Sequence, residues 1–308
     1  MPAHTAFPAP VPALLILCML LAGAAGICGC MEFSTPPPAE QDSTPVPAPA
    51  WRIDHAVIVV DNLSSAMGRY ADSGFTVVPG GTHGDGSTQN ALITFEDGSY
   101  LEIFAAVDPA LEESMKTLVS TGTFEADITG ENAMDARFMH HLGEGAGLRD
   151  FAIWYPGINL STSRQDAGRQ GFALDGPIPM SRTRPDGIDV RWQVSVPVSA
   201  DSGALPFLIS DDTPRVYRVP GGNATVHPNH AAGIERIVIA TRDPVNVTRW
   251  YDTVLAGREK SVSGMATTYR LDGSEIIVQG VTTPEQDGPV EIVLNTGKGI
   301  PIRLNGRI

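Results

Sequence analysis

Residues 31–308 contain no cysteine. Cys18, Cys28 and Cys30 all lie within the first thirty residues. The body of the chain therefore forms no internal disulfide, which excludes a disulfide-stapled secreted scaffold. The same absence excludes a catalytic thiol from the folded region.

Basic residues are also scarce. The chain has 21 Lys and Arg against 35 Asp and Glu, which gives a formal net charge of −14. Because the binding of nucleic-acid phosphates needs a basic field, we expect no nucleic-acid partner. The 42% of hydrophobic residues are typical of a globular protein and exclude a disordered one.

A long apolar run occurs at Ala13–Ile27, directly before Cys28-Gly29-Cys30. Its length suits the core of a signal peptide or a short membrane anchor. The small residues before the cysteines resemble a lipoprotein cleavage box, which makes Cys30 the expected lipidated residue. No Lys or Arg precedes the run, which favours an uncleaved anchor as the alternative. Both interpretations predict that residues 1–30 anchor an extracytoplasmic protein to a membrane.

Residues 31–51 are rich in proline and have no apolar periodicity, so we expect an extended linker. From Trp51 onward one pattern occurs three times. It consists of an apolar strand, an Asn or Asp that begins an amphipathic helix, a glycine that ends the helix, and further strands. The strands that open the three copies begin at Ile53, Asp150 and Ile234.

Strands alternating with single helices are also typical of a doubly wound parallel sheet. Several strand pairs here are joined by short turns, such as Glu96-Asp97-Gly98, and this favours curved mixed sheets instead. We therefore predict an α+β fold of repeated βαβββ modules. A tandem domain is expected at 52–218 and an additional module at 219–308. Residues 108–148, between the first two copies, have the periodicity of helices.

A family resemblance rests on several segments in the same order along the chain. They are Ile53-Asp-His-Ala-Val-Ile-Val-Val, Gly74-Phe-Thr-Val, Gly80-Gly-Thr-His-Gly-Asp-Gly-Ser-Thr-Gln-Asn-Ala-Leu-Ile, Ser99-Tyr-Leu-Glu-Ile, Pro179-Met-Ser-Arg-Thr-Arg-Pro-Asp-Gly, Arg191-Trp192 and Leu205-Pro-Phe-Leu-Ile209. Together they resemble the glyoxalase-like domain family of the vicinal-oxygen-chelate superfamily. The resemblance implies paired βαβββ modules in a cup-shaped sheet, often with a divalent metal. It does not specify one reaction, because the superfamily includes lyases, dioxygenases and binding proteins.

Metal ligands in this superfamily come from the first and last strands of a module, where this chain has His55 and Glu102. An imidazole and a carboxylate suit Zn, Fe, Mn or Ni. A structural His–Glu hydrogen bond is the alternative. His83 is the candidate third ligand. Aligning the later copies on the first places Phe151 and Arg236 where His55 stands, so neither copy is expected to complete a symmetric site.

Four further residues are candidates for substrate binding. Arg182 and Arg184 flank a turn and could clamp a carboxylate, with Trp192 on the next strand as a stacking wall. An Arg–Asp pair that stiffens the turn is the alternative. Asn90 is expected to orient a substrate carbonyl or to cap a turn.

The glycine-rich segment 80–86 lacks the Lys-Ser/Thr ending of a phosphate loop. It also leads into a strand, so it predicts a bulge in the sheet or close backbone approach to a ligand.

Two hypotheses about function follow. In the first, an exported, membrane-anchored enzyme of lyase, isomerase or dioxygenase type uses a divalent metal on a small oxygenated substrate. Glu102 then serves as ligand or general base. In the second, a lipid-anchored protein binds a small molecule without turnover. A structural surface protein that keeps only the fold is the remaining alternative.

Overall fold

The computed structural model describes residues 49–127, 131–198, 202–282 and 287–305, which belong to one structural unit. The predicted signal or anchor segment 1–30 with Cys30, and residues 31–48 of the predicted linker, lie outside the described residues. None of the helices in the described ranges has the length and apolar character needed to cross a membrane.

The first βαβββ module begins at Arg52. Its elements are β1 (Arg52–Val59), α1 (Leu63–Asp72), β2 (Val78–His83), β3 (Thr88–Thr94) and β4 (Tyr100–Ala106). The Asn62 side chain caps α1 by accepting a hydrogen bond from the Ser65 amide. Strand β4 returns parallel to β1, and β3 and β2 follow it antiparallel.

Three helices connect the first two modules, as the periodicity predicts: α2 (Pro109–Thr121), α3 (Phe124–Asp127) and α4 (Ala133–Glu144). Helix α2 begins after an Asp108 cap with Pro at its first position, and Gly122 ends it in the left-handed conformation. Buried Met115 and Met134 pack the helices against the interior of the main sheet.

The second module repeats the topology of the first. It contains β5 (Gly147–Trp154), α5 (Leu160–Arg169), β6 (Leu174–Thr183), β7 (Asp189–Pro197) and β8 (Phe207–Asp211), and α6 (Arg215–Arg218) follows. The two modules close into one barrel with the strand order β1-β4-β3-β2-β6-β7-β8-β5. At one seam, β1 pairs with β5 along its whole length. At the other, β2 and β6 are joined through the pairs Thr82–Thr183 and His83–Arg182.

A third βαβββ module lies in the last part of the chain. Its elements are β9 (Ala231–Thr241), α7 (Pro244–Val254), β10 (Lys260–Ser263), β11 (Ala266–Arg270) and β12 (Glu275–Gly280), and β13 (Gly288–Thr296) and β14 (Ile302–Asn305) follow. As in the first module, the last strand β12 runs parallel to the first strand β9. Strand β13 pairs antiparallel with β9, just as β5 pairs with β1. The predicted domain boundary between residues 218 and 219 stays a prediction.

The two faces of β1 have different surroundings. Ile53, Ala56 and Ile58 join the large apolar core outside the barrel, which also contains the buried face of the third module. Val57 and Val59 point into the barrel interior. The connecting helices pack on apolar side chains of the interior and on buried Asp150, and further polar side chains line a cavity along the same strands.

Candidate functional site

A cavity of about 260 Å³ lies inside the barrel. The strands of both modules contribute to its wall. Most of the candidate residues from the sequence line it: His55, His83, Asn90, Glu102, Arg182 and Trp192. Period-two alternation explains why Tyr100, Glu102 and Phe104 of β4 all reach it.

A β-bulge in β1 positions His55. The pairing of β1 with β5 shifts register between Ile53 and His55, so Asp54 is the extra residue. Asp54 and His55 are therefore able to interact although they are neighbours in a strand, and the Asp54 Oδ1 to His55 Nδ1 distance is 2.7 Å. The opposite ring nitrogen, Nε2, lies 3.3 Å from Glu102 Oε2.

His83 approaches the same carboxylate from the neighbouring side of the barrel. Its Nδ1 lies 2.9 Å from Thr88 Oγ1, and its Nε2 lies 3.7 Å from Glu102 Oε1. Asn90 donates a hydrogen bond of 2.6 Å from Nδ2 to the same Oε1. The candidate carbonyl-orienting amide of Asn90 is therefore engaged with Glu102.

Glycines allow β2 to approach its neighbours closely enough to bring His83 into the barrel. A Cβ on Gly80 would stand 2.0 Å from Asn90 Oδ1, and one on Gly81 would stand 2.0 Å from Thr183 O. The pairing of β2 with β3 also shifts register between Pro79 and Gly81. The glycine-rich segment thus contains the bulge that its sequence predicts.

The polar contacts determine the charge of each candidate ligand. Burial opposes ionisation of Glu102, but the bonds and charges of His55 and His83 and the bond from Asn90 outweigh it and lower its pKa to about 2. Burial also disfavours the imidazolium form of His55, but Asp54 and Glu102 reverse this and raise its pKa. Burial lowers the pKa of His83, which favours its neutral form.

The second module provides no ligand at the equivalent positions. Aligning Phe151 with His55 is wrong, because Phe151 packs in the outer core and Ala152 faces the interior opposite His55. The capping residues give the correct alignment, since Asn159 follows Ala152 at the spacing that separates Asn62 from His55. On β8, apolar Phe207 and Ile209 face the cavity.

The predicted two-arginine clamp does not form. Arg182 is buried, lines the cavity and has Trp192 near it on β7, whereas Arg184 lies outside this cavity. Arg184 donates a hydrogen bond of 2.6 Å from Nη2 to Asp186 Oδ2 at the turn. Arg184 therefore fits the alternative interpretation, an Arg–Asp pair that stiffens the turn.

A buried ion network beside His55 was not predicted. Arg218 donates to Asp54 Oδ1 at 2.8 Å and to Asp211 Oδ1 at 2.5 Å, and Arg215 donates to Asp54 Oδ2 at 2.6 Å. Despite complete burial, the charges of Arg215 and Arg218 hold the pKa of Asp54 well below its usual value. Arg215 and Arg218 lie one helical turn apart, and this spacing is the only signal in the sequence, because their partners are remote along the chain.

A second His/Glu group lies at the end of α4, outside the cavity lining. Among the described residues, His140, His141 and Glu144 form the group whose candidate ligand atoms all lie within 4.8 Å of one another. The two ring nitrogens of His141 lie 2.9 Å from Glu144 Oε2 and 3.0 Å from Asp150 Oδ2. These carboxylates outweigh burial and raise the pKa of His141. His141 thus has a carboxylate at each ring nitrogen, as His55 has, and the group differs from the cavity residues in lying outside the cavity lining.

The side chains of His55, His83 and Glu102 are of the types that bind a divalent metal, but their ligand atoms are too far apart to bind one without moving. His55 and His83 both direct Nε2 toward Glu102, while Asp54 and Thr88 hold their Nδ1 atoms. Metal-bound histidines are commonly held by such outer hydrogen bonds. Two imidazoles and one carboxylate suit Zn, Fe, Mn or Ni. The three ligand atoms are not all within 4.8 Å of one another in the described structure, so binding requires the side chains to move closer.

Paired βαβββ modules that enclose a cavity with histidine and carboxylate side chains define a protein of vicinal-oxygen-chelate type. The family model described as a glyoxalase-like domain matches residues 53–255, more than half of the 308-residue chain. The chain belongs to the glyoxalase-like domain family, and the family resemblance and the α+β fold predicted from the sequence are confirmed. A comparison with curated protein sequences found no match.

Several solved structures match this chain at low sequence identity. A hypothetical protein from Staphylococcus aureus is 13% identical with a TM-score of 0.59, and the match covers 82% of this chain and 98% of that chain. A xylose isomerase-like TIM barrel/4-hydroxyphenylpyruvate dioxygenase fusion protein is 13% identical with a TM-score of 0.49, over 81% of this chain and 37% of that one. The Mn(II)-bound glyoxalase from Novosphingobium aromaticivorans is 10% identical with a TM-score of 0.43, over 83% and 81%.

Proposed function

We propose that this protein is a glyoxalase-like enzyme that acts on a small oxygenated substrate with a divalent metal held by His55, His83 and Glu102. The observation that carries the proposal is the convergence of the three side chains on one cavity from three different strands. A bound divalent metal would supply Lewis-acid polarisation of a carbonyl or enediolate oxygen. Zn, Fe, Mn and Ni remain the candidate metals.

Glu102 is better suited to be a ligand than a general base. In the metal-free protein, His55 and Asn90 lower the pKa of Glu102 to about 2 despite its burial, so its carboxyl group is ionised at neutral pH. General bases work best when their pKa lies near the working pH. A metal ligand, by contrast, has to be deprotonated, and Glu102 already is.

The remaining wall residues bind and shield the substrate. Phe104, Phe138 and Phe207 form an apolar wall on one part of the cavity, and Phe138 belongs to the helix α4 that covers it. An apolar wall excludes water from the reacting groups and strengthens electrostatic interactions with the substrate. Asp54 holds Nδ1 of His55, which keeps Nε2 directed into the cavity.

Metal content measured by elemental analysis tests the proposal. We would purify the full chain, treat it with chelator and reconstitute it separately with Zn, Fe, Mn and Ni. The same measurement on His55→Ala, His83→Ala and Glu102→Gln tests the ligands, and His140→Ala serves as the matched control from the group at the end of α4. We expect one equivalent of metal in the wild type and in His140→Ala, and loss of metal in the three cavity variants.

Two results would contradict the proposal. Loss of metal in His140→Ala with retention in the cavity variants would move the site to the helix end. Absence of metal from the reconstituted wild type would refute the hypothesis of a metal-dependent enzyme.

The second candidate function is small-molecule binding without turnover. It is favoured by one observation, the apolar residues Ala152, Phe207 and Ile209 where a second module would supply further ligands. This candidate predicts ligand binding that is independent of metal, and it would follow from a metal-free wild type.

We also propose that the protein is exported and attached to a membrane through lipid on Cys30. The support is the apolar run Ala13–Ile27, the cysteine-containing box after it and the proline-rich residues that follow. Cys30→Ser is expected to move the protein from the membrane fraction to the soluble fraction, whereas Cys28→Ser is expected to leave it membrane-bound. Retention of Cys30→Ser in the membrane would favour the uncleaved anchor instead.

A further inference from the structure

Arg182 is a buried cation that feels the charge of Glu102 but makes no ion pair with a carboxylate of the described residues. Its side chain is only 2% exposed and lines the cavity. Nη2 donates a hydrogen bond of 2.7 Å to the backbone oxygen of Arg218, while Nε is buried and has no hydrogen-bond partner. None of the ion pairs among the described residues includes Arg182. A buried charge in this state is costly unless a partner arrives.

The neighbouring arginines, unlike Arg182, are paired with carboxylates. Arg215 and Arg218 carry two positive charges, and Asp54 and Asp211 carry two negative charges that pair with them. Both oxygens of Asp54 already accept hydrogen bonds from these two arginines. The network is thus balanced by itself and leaves no carboxylate for Arg182.

The other carboxylates that line the cavity are engaged with other groups. Glu102 interacts with His55 and Asn90, Asp85 accepts from Ser87, and Asp135 accepts from Asn132. The guanidinium of Arg182 is therefore the group of the described cavity that an incoming anion would neutralise. Arginine prefers carboxylates and phosphates because its planar donors match their oxygens.

The cavity walls limit what kind of anion can enter. One part of the cavity wall consists of aromatic rings and thioethers, among them Phe104, Phe138, Met180, Trp192 and Phe207, and polar side chains form the rest. A volume of about 260 Å³ accommodates a small organic molecule. The apolar part of the wall favours a ligand with an apolar body.

We infer that the cavity binds a small organic carboxylate, whose carboxylate group pairs with Arg182 and whose apolar body packs against Phe104, Trp192 and Phe207. If the proposed function holds, this names the class of its substrate, but binding of the carboxylate does not depend on a metal. Arg182 pairs with His83 across the seam of β2 and β6, so the anion lies beside the candidate metal ligands.

Phenylacetate and phenylacetamide are suitable probes, because they share shape and apolar body and differ in charge. Binding to the full chain would be measured by calorimetry, with and without prior chelation. Wild type is expected to bind phenylacetate at least 10-fold more tightly than the amide. Arg182→Gln is expected to weaken binding of the acid by about 10- to 100-fold and to leave binding of the amide unchanged. Arg169→Gln, on the exposed face of α5, is the control.

The preference for acid over amide separates a role in binding from a role in folding, because general damage weakens both ligands. If Arg182→Gln does not fold, the same affinities are measured for Arg182→Lys. The affinities of the wild type for acetate, butyrate and phenylacetate are also compared. Equal affinity of the wild type for acids and amides, or an unchanged preference in Arg182→Gln, would overturn the inference. Failure of the metal proposal gives a different result, because a protein that binds no metal would still prefer phenylacetate to phenylacetamide.

Discussion

Replacing Gly81 with alanine tests whether the narrow seam of the barrel determines the geometry of the site. Gly81 has φ +135°, a conformation that alanine adopts only with strain. A Cβ there would stand 2.0 Å from the backbone oxygen of Thr183, more than 1 Å inside the distance that carbon and oxygen tolerate. Because Thr183 is backbone of β6, relief of the clash requires the two strands to separate.

The magnitude follows from what the seam contains. Backbone strain of this kind costs about 1–3 kcal/mol. Each backbone hydrogen bond weakened when Thr82–Thr183 and His83–Arg182 separate adds about 1 kcal/mol. We therefore expect Gly81→Ala to reduce the free energy of unfolding by about 2–4 kcal/mol. Denaturant unfolding at constant slope measures this loss.

Gly86→Ala is the matched control from the same glycine-rich segment. Gly86 has φ +78°, but no atom lies within 4 Å of its added Cβ, so only backbone strain applies. We expect this control to lose about 1 kcal/mol and to retain the metal binding of the wild type. Gly81→Ala should also bind metal more weakly, because it displaces His83. Equal destabilisation by Gly81→Ala and Gly86→Ala would refute the reasoning about the seam.

Three further predictions concern the buried charges. Arg137 donates to both Asp150 oxygens, at 2.6 and 2.7 Å, and Asp150→Asn removes its counter-ion. We expect this substitution to reduce the free energy of unfolding by about 3–5 kcal/mol. The control Asp166→Asn, at an exposed ion pair, should cost less than about 0.5 kcal/mol. Burial opposes ionisation of Asp150, but the charge of Arg137 outweighs it and lowers the pKa of Asp150 to about 2. The ionised Asp150 therefore stabilises the protein above about pH 4, and this stabilisation is lost as the pH falls toward about 2. When the free energy of unfolding is measured against pH, Asp150→Asn should lack this acid-dependent loss. Asp54→Asn should weaken metal binding by about 10- to 100-fold in titrations, and an unchanged affinity would refute the role of Asp54 in holding His55.

The sequence predicted the modules well because their signals are local. Asn62 and Asn159 begin the helices α1 and α5, and glycines end them, so each βαβββ copy could be recognised in a short window. Period-two alternation placed Glu102 on the same face as Tyr100 and Phe104, and the three side chains line one cavity. Alignment of the second copy failed at Phe151 because residues 151–154 of β5 are all apolar. An apolar strand buried on both faces does not show which side is interior.

The contents of the cavity required the tertiary structure. Arg182 and Arg184 are two residues apart and look equivalent in the sequence, yet one is buried in the barrel and the other pairs with Asp186 at a turn. Strand β6 ends at Thr183, which pairs with Thr82, and Arg184 follows in the turn, so the environment of Arg184 depends on where the strand ends. Sequence periodicity gives the face of a strand but not the length of its pairing.

The amino-acid sequence by itself determined the repeated βαβββ modules, their helix caps and the presence of His55, His83 and Glu102 as candidate ligands. These features depend on residues close together in the chain. Only the tertiary structure decided that the first two modules close into a barrel and that Arg215 and Arg218 neutralise Asp54. It also decided that Arg182 makes no ion pair with a carboxylate of the described residues. Contacts between residues more than a hundred positions apart determine these outcomes, and the charge of a buried group depends on the partners that folding brings to it.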